Sequence, residues 1–487
     1  MTVTPQTSTI PPMPGDHTDD QRRSSARQRI RLLDGGWLDD LIRHLTEHFV
    51  DLRASAVGKP DLSINLYLAV IDQLSQLYAT RPIVDVEGAS DELMDSITET
   101  LADAGLWSMT QENQRYTLAI REGFVRPSVS DDGTLVYRLV TPDAVIATAS
   151  PATPDMPWRL VEALQRDVPN ARGKVESVWT WDEMDISDPR DPTYRILRAD
   201  SDMDRAEDIT EIVTGVPSLS GPAYPYRWTQ GERAGLPYIP HAMYHAKRTG
   251  KLWNWRTGLE AVEGALTVAV LHSFWLHNVK DCSWSQKYSI DAAVRGLATE
   301  GPDGLRRQTV ITDPASILMF DSEGDHPEVS TLAPAIDPKT LGEAIASYQQ
   351  DVGVYLGLGP DDYERSGQAE SGYAISLKRE SVREKQRGYE PTFRRGDTEL
   401  LEKTAAMMNA GGANPPWPEE GWSIEYPGLP RTGSEVQVGL ERLEKLEALG
   451  LASKVDGYME LHPGVTREKA LEDLRRIKQE TRTLAIE

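Results

Sequence analysis

Residues 253–280 read WNWRTGLEAVEGALTVAVLHSFWLHNVK, and residues 337–357 read DPKTLGEAIASYQQDVGVYLG. Both stretches repeat their apolar residues at helical spacing. In the second, Asp337 stands as an N-cap and Pro338 opens the first turn. Leu341, Ile345, Tyr348, Val352 and Tyr355 make its apolar stripe, and Gly357-Leu358-Gly359-Pro360 stops it. Residues 281–336 between them are mixed, with strands predicted over 309–311 and 317–320. Two long helices bracketing a small mixed insertion is the feature from which the rest of the chain is read.

Downstream, 361–371 is a polar loop, and a long helix is predicted over 373–409 with a bend at Glu390-Pro391. A Pro/Gly/Trp-rich segment crosses 411–431, and helices follow over 434–449 and 466–483. Upstream, residues 1–28 are rich in Thr, Pro, Ser, Asp and Arg without a period, which predicts a disordered tail. Trp37, Leu38, Leu41, Ile42, Leu45, His48, Phe49 and Leu52 recur at helical spacing. Further helices are predicted over 66–78, 91–104 and 108–123, and a strand over 83–86. From about Phe124 short strand candidates appear at Val125, 135–137, 144–146, 175–181 and 194–197, separated by Pro, Asp and Gly turns. A Pro/Gly/Ser-rich loop covers 213–235. The fold class is therefore α+β and helix-rich.

The chain has 487 residues with 76 acidic and 52 basic side chains, a net charge of −24. A protein that holds duplex by neutralising phosphate should be basic, so tight general DNA binding and docking on an anionic membrane are both disfavoured. DNA that must pass without sticking is still compatible with this balance. The lone Cys282 excludes an internal disulfide framework and any multi-cysteine zinc site. The first residues show no signal-peptide pattern, and the most apolar run, 264–276, reads as too short for a bilayer span.

P-loop, G-x-G-x-x-G, H-E-x-x-H and G-x-S-x-G motifs are absent from the sequence. His241 and His245 stand four apart, a spacing that could ligate a metal on a helix, but no third ligand is evident nearby, and two ordinary histidines in a helix start or loop is the simpler reading. Asp200, Asp202, Asp204 and Glu211 match positions 1, 3, 5 and 12 of a calcium loop. Arg205 occupies the place where that loop needs glycine, so a solvated acidic loop is expected. Lys378, Arg379, Arg383, Lys385, Arg387, Arg394 and Arg395 form the most basic stretch, interleaved with Glu380, Glu384 and Glu390 at ion-pairing distances along a helix. It reads either as a solvated face or as a surface for phosphates or an acidic neighbouring subunit. Trp253, Trp255, Phe274 and Trp275 crowd one predicted helix and read as core or subunit interface.

Four segments, taken in order, resemble the portal protein (head-to-tail connector) of tailed double-stranded DNA bacteriophages. They are 65–86 (NLYLAVIDQLSQLYATRPIVDV), 235–240 (GLPYIP), 366–372 (SGQAESG) leading into Ile375-Ser376-Leu377, and 449–480 (LGLASKVDGYMELHPGVTREKALEDLRRIKQE). The resemblance spans about 37 to 483. In 65–86 the Arg stands directly before the Pro, 235–240 is one residue shorter than the family segment, and the tail beyond Glu480 leaves no room for a C-terminal barrel.

The resemblance implies a ring of subunits, usually twelve, around a DNA channel, with a portal fold of wing, stem, clip and crown. By position, a tail (1–28) would be followed by a wing (29–250), a stem helix (251–280), a clip (281–336), a second stem helix (337–357) and a tunnel loop (358–372). A long helix returning to the wing (373–430) and a helical crown (431–487) would complete the chain. Asp361, Asp362, Tyr363, Glu364, Arg365, Ser366, Gln368 and Glu370 would face the DNA. Lys378, Arg379, Arg383 and Arg387 would form a ring of cations near the channel or pair with neighbouring subunits. The implied role is structural, with no catalytic residue, metal or cofactor. The chain would sit at one vertex of the virion after assembling in the host cytoplasm. Its partners would be its own copies, the terminase large subunit, the head-completion adaptor, the major capsid and scaffolding proteins, and passing duplex DNA, with no membrane. The competing readings are an acidic metal-dependent hydrolase built on the 200–211 carboxylates with His241 and His245, and an oligomeric scaffold without a channel.

Overall fold

The structure, a computed structural model, describes residues 13, 19–49, 60–130, 132–169, 174–199, 203–214, 224–283, 286–290, 292–294, 297–300, 306–309, 320–322, 328–332, 337–356, 372–427, 433–461 and 467–484. The chain divides into two compact units. One comprises Met1–Trp37, Tyr67–Val262 and Gly353–Glu487, and the other Leu38–Leu66 and Glu263–Val352. Helices and antiparallel sheets occur together, as the α+β expectation requires.

The first unit is organised by two antiparallel sheets. In the three-stranded sheet, Glu122–Val129 lies between Leu135–Val140 and Ala242–His245. The four-stranded sheet runs Val145–Ala149, Pro157–Pro169, Val175–Asp185, Thr193–Arg198 in chain order. Pairing along its central hairpin is continuous from Arg159↔Asp185 to Pro169↔Val175. Side chains alternate faces along a strand, so Val161, Ala163 and Trp181 share one side, where Leu197 joins them in a buried cluster. The other side carries Glu162 and Asp182, which stand directly opposite each other across the strands.

The predicted disordered tail is corrected over residues 20–28, because Asp20–Asp34 is a helix. Two of its arginines, Arg22 and Arg29, are buried and cap distant carbonyls. Arg29, 1% exposed, donates from Nη1 to the Ala119 and Ile120 carbonyls at 3.2 and 3.1 Å. Those are carbonyls at the end of helix Leu106–Ile120, where a cation also meets the negative end of the helix dipole. Arg22 donates to the Pro142 and Val145 carbonyls at 2.7 and 2.6 Å and stacks 3.9 Å from the Trp253 ring.

Helix Gly372–Ala410 continues through Pro391, where a bend was expected, and packs on strands Glu122–Val129 and Ala242–His245. Gly396 makes that approach possible, since a Cβ there would meet the Tyr244 ring at 2.5 Å. Strand Trp422–Glu425 pairs antiparallel with Ile83–Val86. Gly433–Ala448, Lys454–Leu461 and Arg467–Leu484 are the C-terminal helices, the middle one unforeseen.

In the second unit, helix Leu259–Ser283 begins later than residue 253. Asn254 and Thr257 are tied into turns instead, and Gly258 takes φ +79°. Trp253 and Trp255 therefore precede the helix that carries Phe274 and Trp275. The stretch Leu259–Lys280 is long and apolar enough to cross a bilayer by length and composition, and half of it is buried within the protein. Helix Pro338–Leu356 packs against it. The Trp275 indole donates to the Pro338 carbonyl at 2.9 Å, and a Cβ on Gly264 would meet Val352 at 2.8 Å. Between the two helices, Gln286–Ile290 pairs with Glu328–Leu332, Ala292–Val294 with Phe320–Ser322, and Leu297–Glu300 with Arg306–Thr309. The strand expected over 309–311 is thus Arg306–Thr309, with 310–311 outside the described residues. Of the one expected over 317–320, only Phe320 is described, in Phe320–Ser322.

Candidate functional site

The eight loop residues Asp361, Asp362, Tyr363, Glu364, Arg365, Ser366, Gln368 and Glu370 lie outside the described residues. The basic stretch that follows lies on helix Gly372–Ala410. Arg379, Arg383 and Arg387 are spaced by four, which places them along one helix face over about 12 Å. Arg383 is half-buried and Arg387 exposed. Farther along, Arg394 pairs with Glu390 and donates from Nε to the Ile424 carbonyl at 3.1 Å, and Arg395 lies 3.8 Å from Asp155. Arg394 and Arg395 are thus engaged in holding the helix to its own unit.

That hold is centred on Asp397, which accepts from the hydroxyls of Tyr78 and Tyr244 at 2.7 Å each and of Tyr426 at 2.5 Å. Burial pushes its carboxyl up to about 6, although each tyrosine hydroxyl pulls the other way. One turn or two later, Lys403 Nζ donates to the His241 carbonyl at 2.6 Å, and Thr404 meets the Tyr137 hydroxyl at 3.1 Å. The second half of the helix is therefore pinned to its surroundings.

Beneath it lies a buried network of charges. In the three-stranded sheet Arg126 and Arg138 are directly opposed, and in the four-stranded sheet Glu162 and Asp182 are. Like charges facing across strands repel. Here each pair offsets the other. Arg126 Nη1 donates to Glu162 at 2.7 Å and Asp182 at 3.1 Å, Arg138 donates to Glu162 at 2.5 Å, and Arg166 donates to Asp182. Burial alone would raise the Glu162 carboxyl, but Arg138 and Arg126 outweigh it and hold it well below the usual carboxylate range. Asp182 is lowered against burial by Arg166 and Arg126 in the same way.

The expected helix or loop at His241 and His245 is corrected. The two residues run into and end a buried strand, Ala242–His245. His241 Nε2 lies 2.9 Å from Glu162, and since a carboxylate only accepts, Nε2 carries the proton. His245 Nε2 donates to the Asp155 carbonyl at 3.0 Å. Burial pushes both rings down to about 4, so both are neutral at pH 7. Asp200 and Asp202 lie outside the described residues, and Asp208 accepts from Thr210 at the start of helix Thr210–Thr214. Among the described residues, the one place where three His, Cys, Asp or Glu ligand atoms gather is elsewhere, at His44, His48 and Glu263. In the sequence His44 and His48 stand four apart and His48 belongs to an apolar helical stripe, whereas Glu263 comes from a distant helix, so the gathering has no local signature.

No family model matches the chain, and no curated protein matches it. Among solved structures, it is similar to a chain in the virion of a native gene transfer agent particle. Identity there is 12%, the TM-score is 0.37, and 85% of this chain and 98% of that one are covered. It is similar to a chain in the neck of the native particle in C12 symmetry at 12% identity and TM-score 0.38, covering 82% of this chain and 91% of that one. A chain in the neck of the empty particle in C6 symmetry gives 12%, 0.39, 85% and 98%. At this identity and these TM-scores the likeness does not extend to function.

Proposed function

We propose that this chain is the subunit of a portal, a structural ring at one vertex of a phage-like virion through which duplex DNA enters and leaves. The observation that carries the reading is local to the second unit. Helices Leu259–Ser283 and Pro338–Leu356 pack together and bracket an insertion closed by the strand pair Gln286–Ile290 and Glu328–Leu332. A stem and clip need this order of elements. The four sequence segments supply the rest, with 366–372 leading directly into helix Gly372–Ala410.

In this reading the ring has no chemistry of its own, and ATP hydrolysis belongs to the terminase large subunit docked on it. The adaptor meets the insertion, and capsid and scaffolding proteins surround the wing. An acidic ring repels phosphate and lets the duplex slide, while the stripe of Arg379, Arg383 and Arg387 provides cations close to the loop 361–371. A change of state would then be a discrete shift of loops and ring interfaces.

The hydrolase reading requires the 200–211 carboxylates to converge with His241 and His245. Both ring Nε2 atoms are instead engaged, by Glu162 and by the Asp155 carbonyl. The test of the portal reading is electron microscopy of the full chain with its mass measured in solution. Rings with a central hole are expected. A monomer or dimer that stays ringless at high concentration and with scaffolding protein present would overturn it.

A further inference from the structure

In the second unit, helix Leu38–His48 presents His44 and His48 one turn apart, with ring centroids 4.5 Å from each other. Glu263, from helix Leu259–Ser283, places a single carboxylate oxygen, Oε2, 3.1 Å from His44 Nδ1 and 3.9 Å from His48 Nε2. The three ligand atoms lie within 4.8 Å of one another. Tetrahedral zinc with arms of about 2.0–2.2 Å needs ligand atoms about 3.3 Å apart, so side-chain shifts that shorten the longest separation by up to about 1.5 Å close the set.

The surroundings are those of a metal ligand. His44 is 6% exposed, and its other nitrogen, Nε2, lies 2.9 Å from the Thr267 hydroxyl, one helical turn beyond Glu263. The Thr267 hydroxyl can accept from Nε2–H, the tautomer that frees the Nδ1 lone pair to take a metal ion in place of the proton it would otherwise share with the Glu263 carboxylate 3.1 Å away. A second-shell donor contact that fixes the tautomer is the usual support of a ligating histidine. His48 and Glu263 are 54% and 53% exposed, which leaves an entry path and room for a water at the fourth position.

We propose that His44, His48 and Glu263 bind one zinc ion per chain, with water as the fourth ligand, and so staple helix Leu38–His48 to helix Leu259–Ser283. Two imidazoles and one carboxylate suit zinc and not the oxygen-seeking magnesium or calcium. The proposal is independent of the portal reading.

Calorimetric titration of the metal-stripped full chain with zinc chloride, in parallel with magnesium chloride, tests it. One saturable zinc site per chain is expected, with no competition from magnesium. His48→Ala and Glu263→Gln are exposed changes that leave the helices intact, and each should weaken zinc by more than tenfold. Thr267→Val, which removes only the support of His44, should weaken it roughly tenfold. His272→Ala, at the separate His272–Asp61 pair, should leave the affinity unchanged. Zinc should also raise the thermal midpoint of the wild type and not of the double variant His48→Ala/Glu263→Gln. Absence of saturable binding overturns the proposal, and so does binding that survives in the double variant.

Discussion

Asp397→Asn isolates the competition at the anchor of the long helix. The carboxyl is fully buried and accepts three tyrosine hydroxyls, so desolvation and hydrogen bonding pull its ionisation in opposite directions. Desolvation wins, and the group is pushed from 3.8 up to about 6. A carboxyl raised in the folded state holds its proton where the unfolded chain has lost it. Its contribution to stability is fully present below about pH 4 and lost as pH rises through about 6. The shift corresponds to roughly 3 kcal/mol, at about 1.4 kcal/mol per pH unit. Other buried groups titrate in the same window, notably His241 and His245, pushed down to about 4, and Glu122, pushed up to about 7. The informative quantity is therefore the difference between wild type and Asp397→Asn, in which those terms cancel. Urea unfolding of both proteins at half-unit steps from pH 4 to 7 measures it. The wild type should lose up to about 3 kcal/mol relative to the variant across that range. A flat difference, or one that moves in favour of the wild type as pH rises, would show that the three hydroxyls outweigh burial and would refute the reasoning.

Arg126→Met removes the cation bridging Glu162 and Asp182 and leaves two opposed, buried carboxylates. A loss of about 3–5 kcal/mol in denaturant unfolding is expected, and an unchanged midpoint would contradict the network described. Gly396→Ala drives a methyl into the Tyr244 ring and should cost about 1–3 kcal/mol. The double variant with Tyr244→Ala should show a smaller added loss than the two single changes summed, read from the same unfolding curves.

Periodicity was a sound guide wherever one face of an element is apolar. Leu38–His48, Asp91–Asp103, Pro338–Leu356 and Gly433–Ala448 lie where the spacing put them. It failed where charge is buried. Asp20–Asp34 looks like a solvated tail because its buried positions include Arg22, Arg23 and Arg29, of which Arg22 and Arg29 cap distant carbonyls. Strand Pro157–Pro169 was missed because the face opposite Val161 and Ala163 carries Glu162, whose neutralising arginines come from other strands and leave no local trace. The same holds for His241 and His245, which look like candidate ligands in sequence and are paired within a buried sheet. Of the candidate site, the helix that carries the basic stretch was legible from its periodicity. The anchor at Asp397 was not, because its three tyrosines come from three separate segments.

The central claim is that these chains close into a ring. Cryo-electron microscopy of the purified full chain, with mass photometry on the same sample, tests it most directly. The account predicts closed rings with an axial hole, a mass near twelve chains, and the helix pair Leu259–Ser283 and Pro338–Leu356 arranged around that axis. Solid particles without a hole, or a species no larger than a dimer under every assembly condition including added scaffolding protein, would contradict it.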